Sequence, residues 1–502
     1  MLFNKLLILV FLFFLNILAF YIQYIFPYFS IIIIPLDLIT KVIFIFIIIF
    51  YSIKNKIIKE KIEIDEYVNK NIAITITCYT ESVKEIFNTI DSLVENVNFA
   101  KELNVKIFVI YDGQSKEKDT DTYTYDFIID KMNILSENKN IKYNENWKNK
   151  EILIDIINTE YNGINIYHII KQSNLGKTDS LTIVRDLLTN RLSDNLSNYF
   201  DCKDFHYVGS MDADCIMNED GLLKLYKKII QKDVMGISGS VFPKKDDKKR
   251  FWYYYQFSEY YTSQYLSRKS ASYLGCVTCL PGAFNIIDLN YYTDEIRLNF
   301  LQHPDKSSLF RSIAVLVGED KRFTSLLLYF NKGKKTIIDE SVEIYTTVPN
   351  SIKKMISQRR RWVLSALVNL YYDMIGTNIN FFIRLECLFN IITFFFYFFI
   401  YIFIYYTLFT LLHNRSLNID NLIINMSFYC MITLIFFYKI FILLNIKGFK
   451  FKFIYFIGEI IMIFFNPIFK TIILIKCIIT MDNFNWGNVK SNVLDEIEVI
   501  TE

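Results

Sequence analysis

The sequence has no dense cysteine framework, no excess charge of either sign and no internal repeat, and each absence removes a class of protein. Its eight cysteines, at positions 78, 202, 215, 276, 279, 387, 430 and 477, are scattered, several of them inside apolar runs. That is not the spacing of a small secreted domain stapled by disulfides, and it fits a reducing compartment. Cys276 and Cys279 form a single Cys-x-x-Cys pair, but there is no second pair and the four histidines lie far away, so the pair reads as strand packing rather than a zinc site. A formal net charge of +3 over 502 residues gives bulk electrostatics no reason to select nucleic acid as a partner. The chain also lacks a motor domain and a long soluble N-terminal extension, which reads as something close to a minimal catalytic unit.

What the sequence has is apolar length. It is 52% hydrophobic and 17% aromatic, with a mean hydropathy of +0.25, the balance of a membrane protein carrying a sizeable soluble part. Leu6 to Phe26 is almost continuously apolar, and Phe29 to Tyr51 is a second run with Asp37 and Lys41 inside it. Each reaches the roughly 20 residues a bilayer requires. Lys5 precedes the first, but the run is too long for a signal peptide and no small-residue cleavage site stands out, so an uncleaved anchor is expected. Lys54, Lys56, Lys59 and Lys61 follow the second span and mark that side as cytosolic. Further spans are expected near 387 to 411, 421 to 444 and 453 to 477, with the Lys447, Lys450 and Lys452 loop cytosolic. The sequons at Asn414 and Asn195 fall on opposite expected sides and decide nothing.

Between the apolar ends, from about 65 to 375, β-rich runs such as "NIAITITCYTE", "VKIFVIYDG" and "HYVGSMDAD" alternate with helical stretches. This predicts an α/β layer with a mostly parallel sheet. Three of these runs end in polar or acidic residues, where open α/β sheets place ligands, so Thr80, Glu81, Asp112, Asp212 and Asp214 are expected to converge; acidic residues also simply open solvated loops. The Asp212-Ala-Asp214 triplet after an apolar strand has the carboxylates to hold a hard divalent cation together with a diphosphate. Gly318-Glu319-Asp320 offers a second acidic pair. Asp320 is a candidate general base, although the same residues read as the acidic opening of an amphipathic helix. The run Gln358-Arg359-Arg360-Arg361-Trp362 has guanidinium groups for a phosphate and an indole face for a sugar. With Lys353, Lys354 and Leu364 it also reads as a basic collar at a lipid surface.

Six short motifs occur in one order: "CYTE" at 78 to 81, "GKTDSL" at 176 to 181, "DAD" at 212 to 214, "LPGAF" at 280 to 284, "GED" at 318 to 320 and "QRRRW" at 358 to 362. Together with "YYYQFSEYYTSQYLSRKS" (253 to 270) and "MDNFNWGN" (481 to 488), the sequence resembles the chitin synthases, membrane-embedded processive family 2 glycosyltransferases, over about residues 70 to 490. The resemblance implies a GT-A-like catalytic domain flanked by transmembrane helices. It implies inverting transfer of N-acetylglucosamine from its UDP donor to the 4-hydroxyl of a growing β-1,4 chain, with Mg²⁺ or Mn²⁺. By motif match, Tyr79, Thr80, Glu81 and Asp112 frame the uridine, and Lys177 and Asp179 lie beside the donor. Asp212 and Asp214 face ribose and metal. Asp320 is the base, with Glu319 beside it. Gln358, Arg361 and Trp362 bind the diphosphate and the acceptor end, and "LPGAF", with Pro281 and Gly282, forms the gate to a channel. The partners implied are UDP-GlcNAc, the growing chitin chain and the lipid bilayer of the plasma membrane, with a homodimer allowed and no nucleic acid. The expected organisation is 1–53 as two N-terminal spans, 54–378 as a cytosolic catalytic domain, 379–480 as membrane or interfacial helices, and 481–502 as a tail carrying Trp486. Lys321 stands where the family often has Arg, which questions a supporting ion pair. Three C-terminal spans would leave Trp486 outside, so one segment is expected to be interfacial or re-entrant, with 453–480, interrupted by Asn466-Pro467 and Lys470, the first choice.

Overall fold

The computed structural model describes residues 2–57, 71–117, 120–144, 151–200, 202, 204–245, 250–302, 308–376, 378–413 and 419–483. Lys59, Lys61, Asn414 and Trp486, to which the sequence reading gave meaning, lie outside these residues. Ten strands form one sheet: β1 (Asn71–Cys78), β2 (Asn104–Asp112), β3 (Asn133–Tyr143), β4 (Ile152–Tyr161), β5 (Ile164–Lys171), β6 (Tyr207–Asp212), β7 (Cys215–Met217), β8 (Val234–Pro243), β9 (Phe284–Asp288) and β10 (Lys335–Thr346). Their order is β3-β4-β5-β2-β1-β6-β9-β8-β10-β7.

The stretch β5-β2-β1-β6 is parallel throughout, as the alternation of strands and helices predicts. The flanks make the whole sheet mixed: β3, β4 and β5 form an antiparallel meander, and β9 runs antiparallel to both β6 and β8. The reason is local at one end. Asn162 and Gly163, both at positive φ, close β4 onto β5 in a two-residue turn that allows no crossover helix.

Both faces of the parallel strands are covered, which is why they read as near-continuous apolar runs. Ile72, Ile74 and Ile76 of β1 pack on one face with Ile86 and Ile90 of helix Val83–Phe99 and Leu222 of helix Gly221–Ile229. On the other face, Ala73 and Phe108 belong to a core that takes in Ile183 of helix Lys177–Leu188 and Phe323 of helix Glu319–Phe330. This second core also contains Phe44, Ile45 and Ile48 of the second N-terminal apolar helix and Ile442 and Tyr455 of the C-terminal ones. Sheet and apolar helices therefore share one interior.

Among the described residues, four helical segments are long and apolar enough to cross a membrane: Lys5–Ile25, Phe29–Asn55, Met426–Asn445 and Phe449–Ile479. The helices Phe381–Phe395 and Tyr397–Thr407 reach that length only together and are bent by 75° at their junction, as in a broken span or a re-entrant loop. The expected interruption at Asn466-Pro467 is not found. Phe449–Ile479 is one helix through Pro467, with Asn466 accepting from the Tyr255 hydroxyl at 3.2 Å and Thr471 donating to the Pro467 carbonyl at 2.8 Å. The same helix lies close on helix Arg250–Thr262, because Gly458 has no side chain there: a Cβ would stand 2.2 Å from Ser258 Oγ.

The break falls instead at Phe396, and its cause is remote in sequence. Asn16, buried in the first apolar helix, donates to the Phe395 carbonyl at 2.9 Å and accepts from the Phe399 amide at 2.9 Å. One side chain thus satisfies a backbone acceptor and a backbone donor at the bend, groups that would otherwise be costly in an apolar environment.

Candidate active site

Register brings the strand ends together. Cys78 of β1 lies opposite Tyr111 of β2, and Thr77 lies opposite Asp212 of β6, so Tyr79, Asp112 and Asp212 emerge at one edge. Beyond β1 the chain turns tightly, with the Glu81 carboxylate accepting the Tyr79 amide at 2.6 Å. Ser82 and Glu85 then open helix Val83–Phe99 with reciprocal capping bonds. Burial, helped by Asp212, raises Glu81 above the usual carboxylate range despite the Tyr79 amide. Tyr79 is half-buried and Thr80 exposed on this rim.

Asp112 does not point at open space. Its carboxylate accepts the amides of Leu175 at 2.9 Å and Gly176 at 2.8 Å, fixing the loop that leads into helix Lys177–Leu188. Asp179 is buried beside it and takes Lys171 Nζ at 2.6 Å and the Tyr143 hydroxyl at 3.2 Å. Lys171, fully buried, also reaches Ser180 at 2.8 Å and Asp112 at 3.4 Å. The two aspartates face one another across a lysine that the sequence reading passed over, and together they hold the start of the helix bearing Lys177.

Lys177 is the centre of the acidic edge. Its ammonium bridges Asp212 at 2.5 Å and Glu319 at 2.7 Å. The "LPGAF" backbone ties the same two motifs from the other side: the Asp212 amide donates to the Gly282 carbonyl at 3.1 Å, and the Gly282 amide donates to Asp320 at 3.3 Å. The Pro281 carbonyl beside it accepts from the Asn285 side-chain amide at 3.0 Å. Glu319 and Asp320 stand in the first turn of helix Glu319–Phe330, so the helix-opening and site readings of "GED" are both met. Burial would raise both carboxyls, but the two part. The Lys177 ammonium holds Glu319 below its ordinary range, while burial and the neighbouring Glu319 charge push Asp320 up. Two adjacent carboxyls driven apart in this way are suited to different roles.

Asp214 stands one turn beyond. Burial, then the Asp212 carboxylate, push it up to about 7. Ligand atoms of Asp212, Asp214 and Cys215 lie within 4.8 Å of one another. The Cys215 thiol is buried, and burial with Asp214 beside it keeps it protonated, so the hard oxygen donors are the two aspartates. Two crowded carboxylates fit Mg²⁺ or Mn²⁺ completed by phosphate oxygens.

The arginine run divides by partner. Arg359 pairs with Glu259 at 2.5 Å, bonds Gln358 and lies 4.0 Å over the Trp362 ring. Arg360 holds the end of helix Phe449–Ile479 through Thr480 Oγ1 at 2.6 Å and the Asn483 carbonyl at 2.5 Å. Arg361 lies within electrostatic reach of Glu319, and Trp362 is 44% exposed. Lys353 and Lys354 are exposed on the first turn of helix Ile352–Ile375, which carries the whole run. The ion pair questioned at Lys321 is present: Lys321 bonds Asp373, which also takes Ser325 at 2.8 Å. Of the residues the sequence reading missed, Glu259 had a signal, being the one carboxylate in the stretch from 250 to 268. Lys171 and Asp373 had none.

Gly318 makes the junction between the acidic and arginine motifs. It adopts φ +75°, and a Cβ there would stand 2.1 Å from Ser365 Oγ on helix Ile352–Ile375. Gly318→Ala is therefore expected to cost about 1–3 kcal/mol through overpacking, read as a fall in melting temperature. Ser365→Gly in the same chain should recover part of it; no recovery would mean the contact is not the cause.

The family model described as Chitin synthase matches residues 191–498. Among curated proteins, the chain is 24% identical over 455 residues to Chitin synthase 8 of Gibberella zeae, covering 85% of this chain and 68% of that one. It is 26% identical over 370 residues to Chitin synthase 8 of Verticillium dahliae, covering 64% and 60%. The match to Chitin synthase 3 of Candida albicans is 26% over 363 residues, covering 60% and 30%. The chain thus spans about two thirds or less of these relatives' length. Among solved structures it is similar to a mannosyltransferase of Pyrobaculum calidifontis in complex with GDP-Man and Mn²⁺. The TM-score is 0.43 and the identity 10%, covering 90% of this chain and all of that one. For S. aureus TarS 1–349 the TM-score is 0.33 and the identity 12%, covering 63% and 70%.

Proposed function

Because this chain belongs to the chitin synthase family, we propose that it transfers N-acetylglucosamine from UDP-GlcNAc to the 4-hydroxyl of a β-1,4 chain, with inversion, and passes the polymer across the plasma membrane. The observation that carries the reading is the convergence of distant motifs on Lys177: its ammonium joins Asp212 to Glu319, and Gly282 joins Asp212 to Asp320.

Asp320, raised toward a proton-accepting range, takes the proton of the acceptor 4-hydroxyl as that oxygen attacks the anomeric carbon and UDP departs. Glu319 stays ionised and keeps Lys177 beside the donor. Tyr79, Thr80 and Glu81 form the rim for the uridine, and Asp112 and Asp179 act by fixing the loop before Lys177. Asp212 and Asp214 would hold a divalent cation, which when bound neutralises the diphosphate and assists its departure. Gln358 and Arg361 face the diphosphate, while Trp362, Pro281 and Gly282 guide the acceptor. The 54–378 region lies in the cytosol, on the side marked by Lys54 and Lys56, so that the charged donor stays there and an uncharged polymer crosses.

Purified protein in lipid, given UDP-sugars with Mg²⁺ or Mn²⁺, should yield an insoluble product from UDP-GlcNAc that chitinase degrades. A polymer formed only from UDP-glucose would make this a cellulose-like synthase instead. In the same preparation Arg361→Ala should weaken UDP binding about tenfold or more, the worth of a charged hydrogen bond. Unchanged UDP affinity would return the arginine run to a lipid collar.

A further inference from the structure

The helix that begins at Arg250 runs on to Tyr273, but its middle is widened: Ser263–Arg268 is a π turn, followed by the Lys269 amide donating to the Gln264 carbonyl. Such turns inside helices are rare and recur at functional sites. This one stands at a junction. Before it, Tyr260 meets the Trp362 indole edge-to-face, with ring centres 6.0 Å apart. At its end, the Arg268 guanidinium lies within electrostatic reach of Tyr260 and of Cys279, and the Cys279 thiol is 3.7 Å from Asp320 Oδ2. Just beyond, Ser270 donates to the Phe44 carbonyl at 3.1 Å, and Tyr273 stacks on Tyr51 with ring centres 5.3 Å apart. Phe44 and Tyr51 belong to the second N-terminal apolar helix. The π turn therefore stands between the base with its exposed indole and the apolar helices.

Among the described residues, two polar atoms of this turn are buried with no hydrogen-bond partner: Gln264 Oε1, on a side chain 7% exposed, and Arg268 Nη1. Leaving them so is costly, and a bound group that satisfies both recovers the cost. One atom only accepts and the other only donates. That combination disfavours a phosphate dianion, whose oxygens the Gln264 oxygen repels, and an acyl chain, which bonds neither. A hydroxyl carries both functions on a single oxygen. A planar trans amide points its N–H and its C=O in opposite directions, so one such group spans two side chains a helical turn apart.

We propose that Gln264 and Arg268 are specificity-determining residues for the acceptor. Gln264 accepts from the N–H, and Arg268 donates to the C=O, of an acetamido group on the growing chain as it passes from Trp362 toward the apolar helices. This rests on the reading that the chain is built from N-acetylglucosamine. It gives the stretch around Glu259 a part in holding the polymer between additions.

The test is a binding measurement, independent of turnover. The full chain in lipid, with UDP present, is titrated with the β-1,4 tetrasaccharide of N-acetylglucosamine and with cellotetraose, which has the same linkages and hydroxyls where the acetamido groups stand. Wild type should prefer the first. Arg268→Met should lower that preference about tenfold, the worth of a charged hydrogen bond, and Gln264→Leu about threefold or more. Arg268→Lys should recover part of the loss. Removing an orphan atom leaves the empty protein at least as stable, and retained UDP binding shows that a variant is folded. Where Arg268→Met fails to bind UDP, Gln264→Leu decides. A wild type that makes no polymer from UDP-GlcNAc sinks the donor reading and this inference with it. A wild type that makes it, but shows no preference between the tetrasaccharides or keeps its preference in either folded variant, overturns this inference alone.

Discussion

Asp320→Asn is expected to lower polymer formation by about a thousandfold while UDP binding stays within about threefold of wild type. The substitution keeps the shape of the side chain and its bond from the Gly282 amide at 3.3 Å. It removes the capacity to accept a proton together with the second carboxylate oxygen, which takes the Lys321 amide at 2.7 Å, and general-base catalysis is worth roughly 10² to 10⁴ in rate. The pH profile supplies an independent check. Burial and Glu319 raise Asp320 above the usual aspartate range. As pH falls, the base is therefore neutralised earlier than a solvent-exposed aspartate with a pKa of about 3.9 would be, and the acid limb of kcat/KM should lie above that value. The acid limb should disappear from the residual activity of Asp320→Asn. Full activity in the variant would remove Asp320 from the mechanism.

Lys171→Met is expected to destabilise the catalytic region by about 3–5 kcal/mol, because removing one partner of a buried ion cluster strands the others. Lys171 is inaccessible and bonds Asp179 at 2.6 Å and Ser180 at 2.8 Å. Burial alone would lower its pKa, but Asp179 and Asp112 more than offset that and raise it. The sign follows: the stabilisation is fully present below the unfolded lysine value of about 10.4 and is lost only as pH rises through the higher folded value. The penalty in Lys171→Met should therefore be flat between neutrality and pH 9. Adding Asp179→Asn should return part of the stability by removing a stranded charge. A melting temperature for Lys171→Met indistinguishable from wild type would show that the cluster does not hold the loop before Lys177.

The convergence of Tyr79, Asp112 and Asp212 at the strand ends was legible because "ITITC", "KIFVIYD" and "YVGSMD" are apolar runs closing on polar residues in a sheet covered on both faces. What each carboxylate does there was not legible. Asp112 and Asp179 read as donor contacts, yet both turn toward Lys171, the last residue of a strand whose sequence does not say that its ammonium points inward. The arginine run was ambiguous for a similar reason. Three consecutive guanidinium groups look alike in sequence but point three ways on a helix, to Glu259, to the end of the last helix, and toward Glu319. At the C-terminal end, Pro467 gave a strong local signal for a break, yet the helix runs through it. The real break at Phe396 is set by Asn16, 383 residues from Phe399, a distance over which no local pattern carries information.

That last contact orders events during biogenesis. The helix carrying Asn16 is translated long before the bent pair around Phe396, whose Phe399 amide and Phe395 carbonyl would lack partners without it. The early helix therefore offers the later one the donor and acceptor that complete its backbone pairing, and Asn16→Leu should leave the bent pair without them.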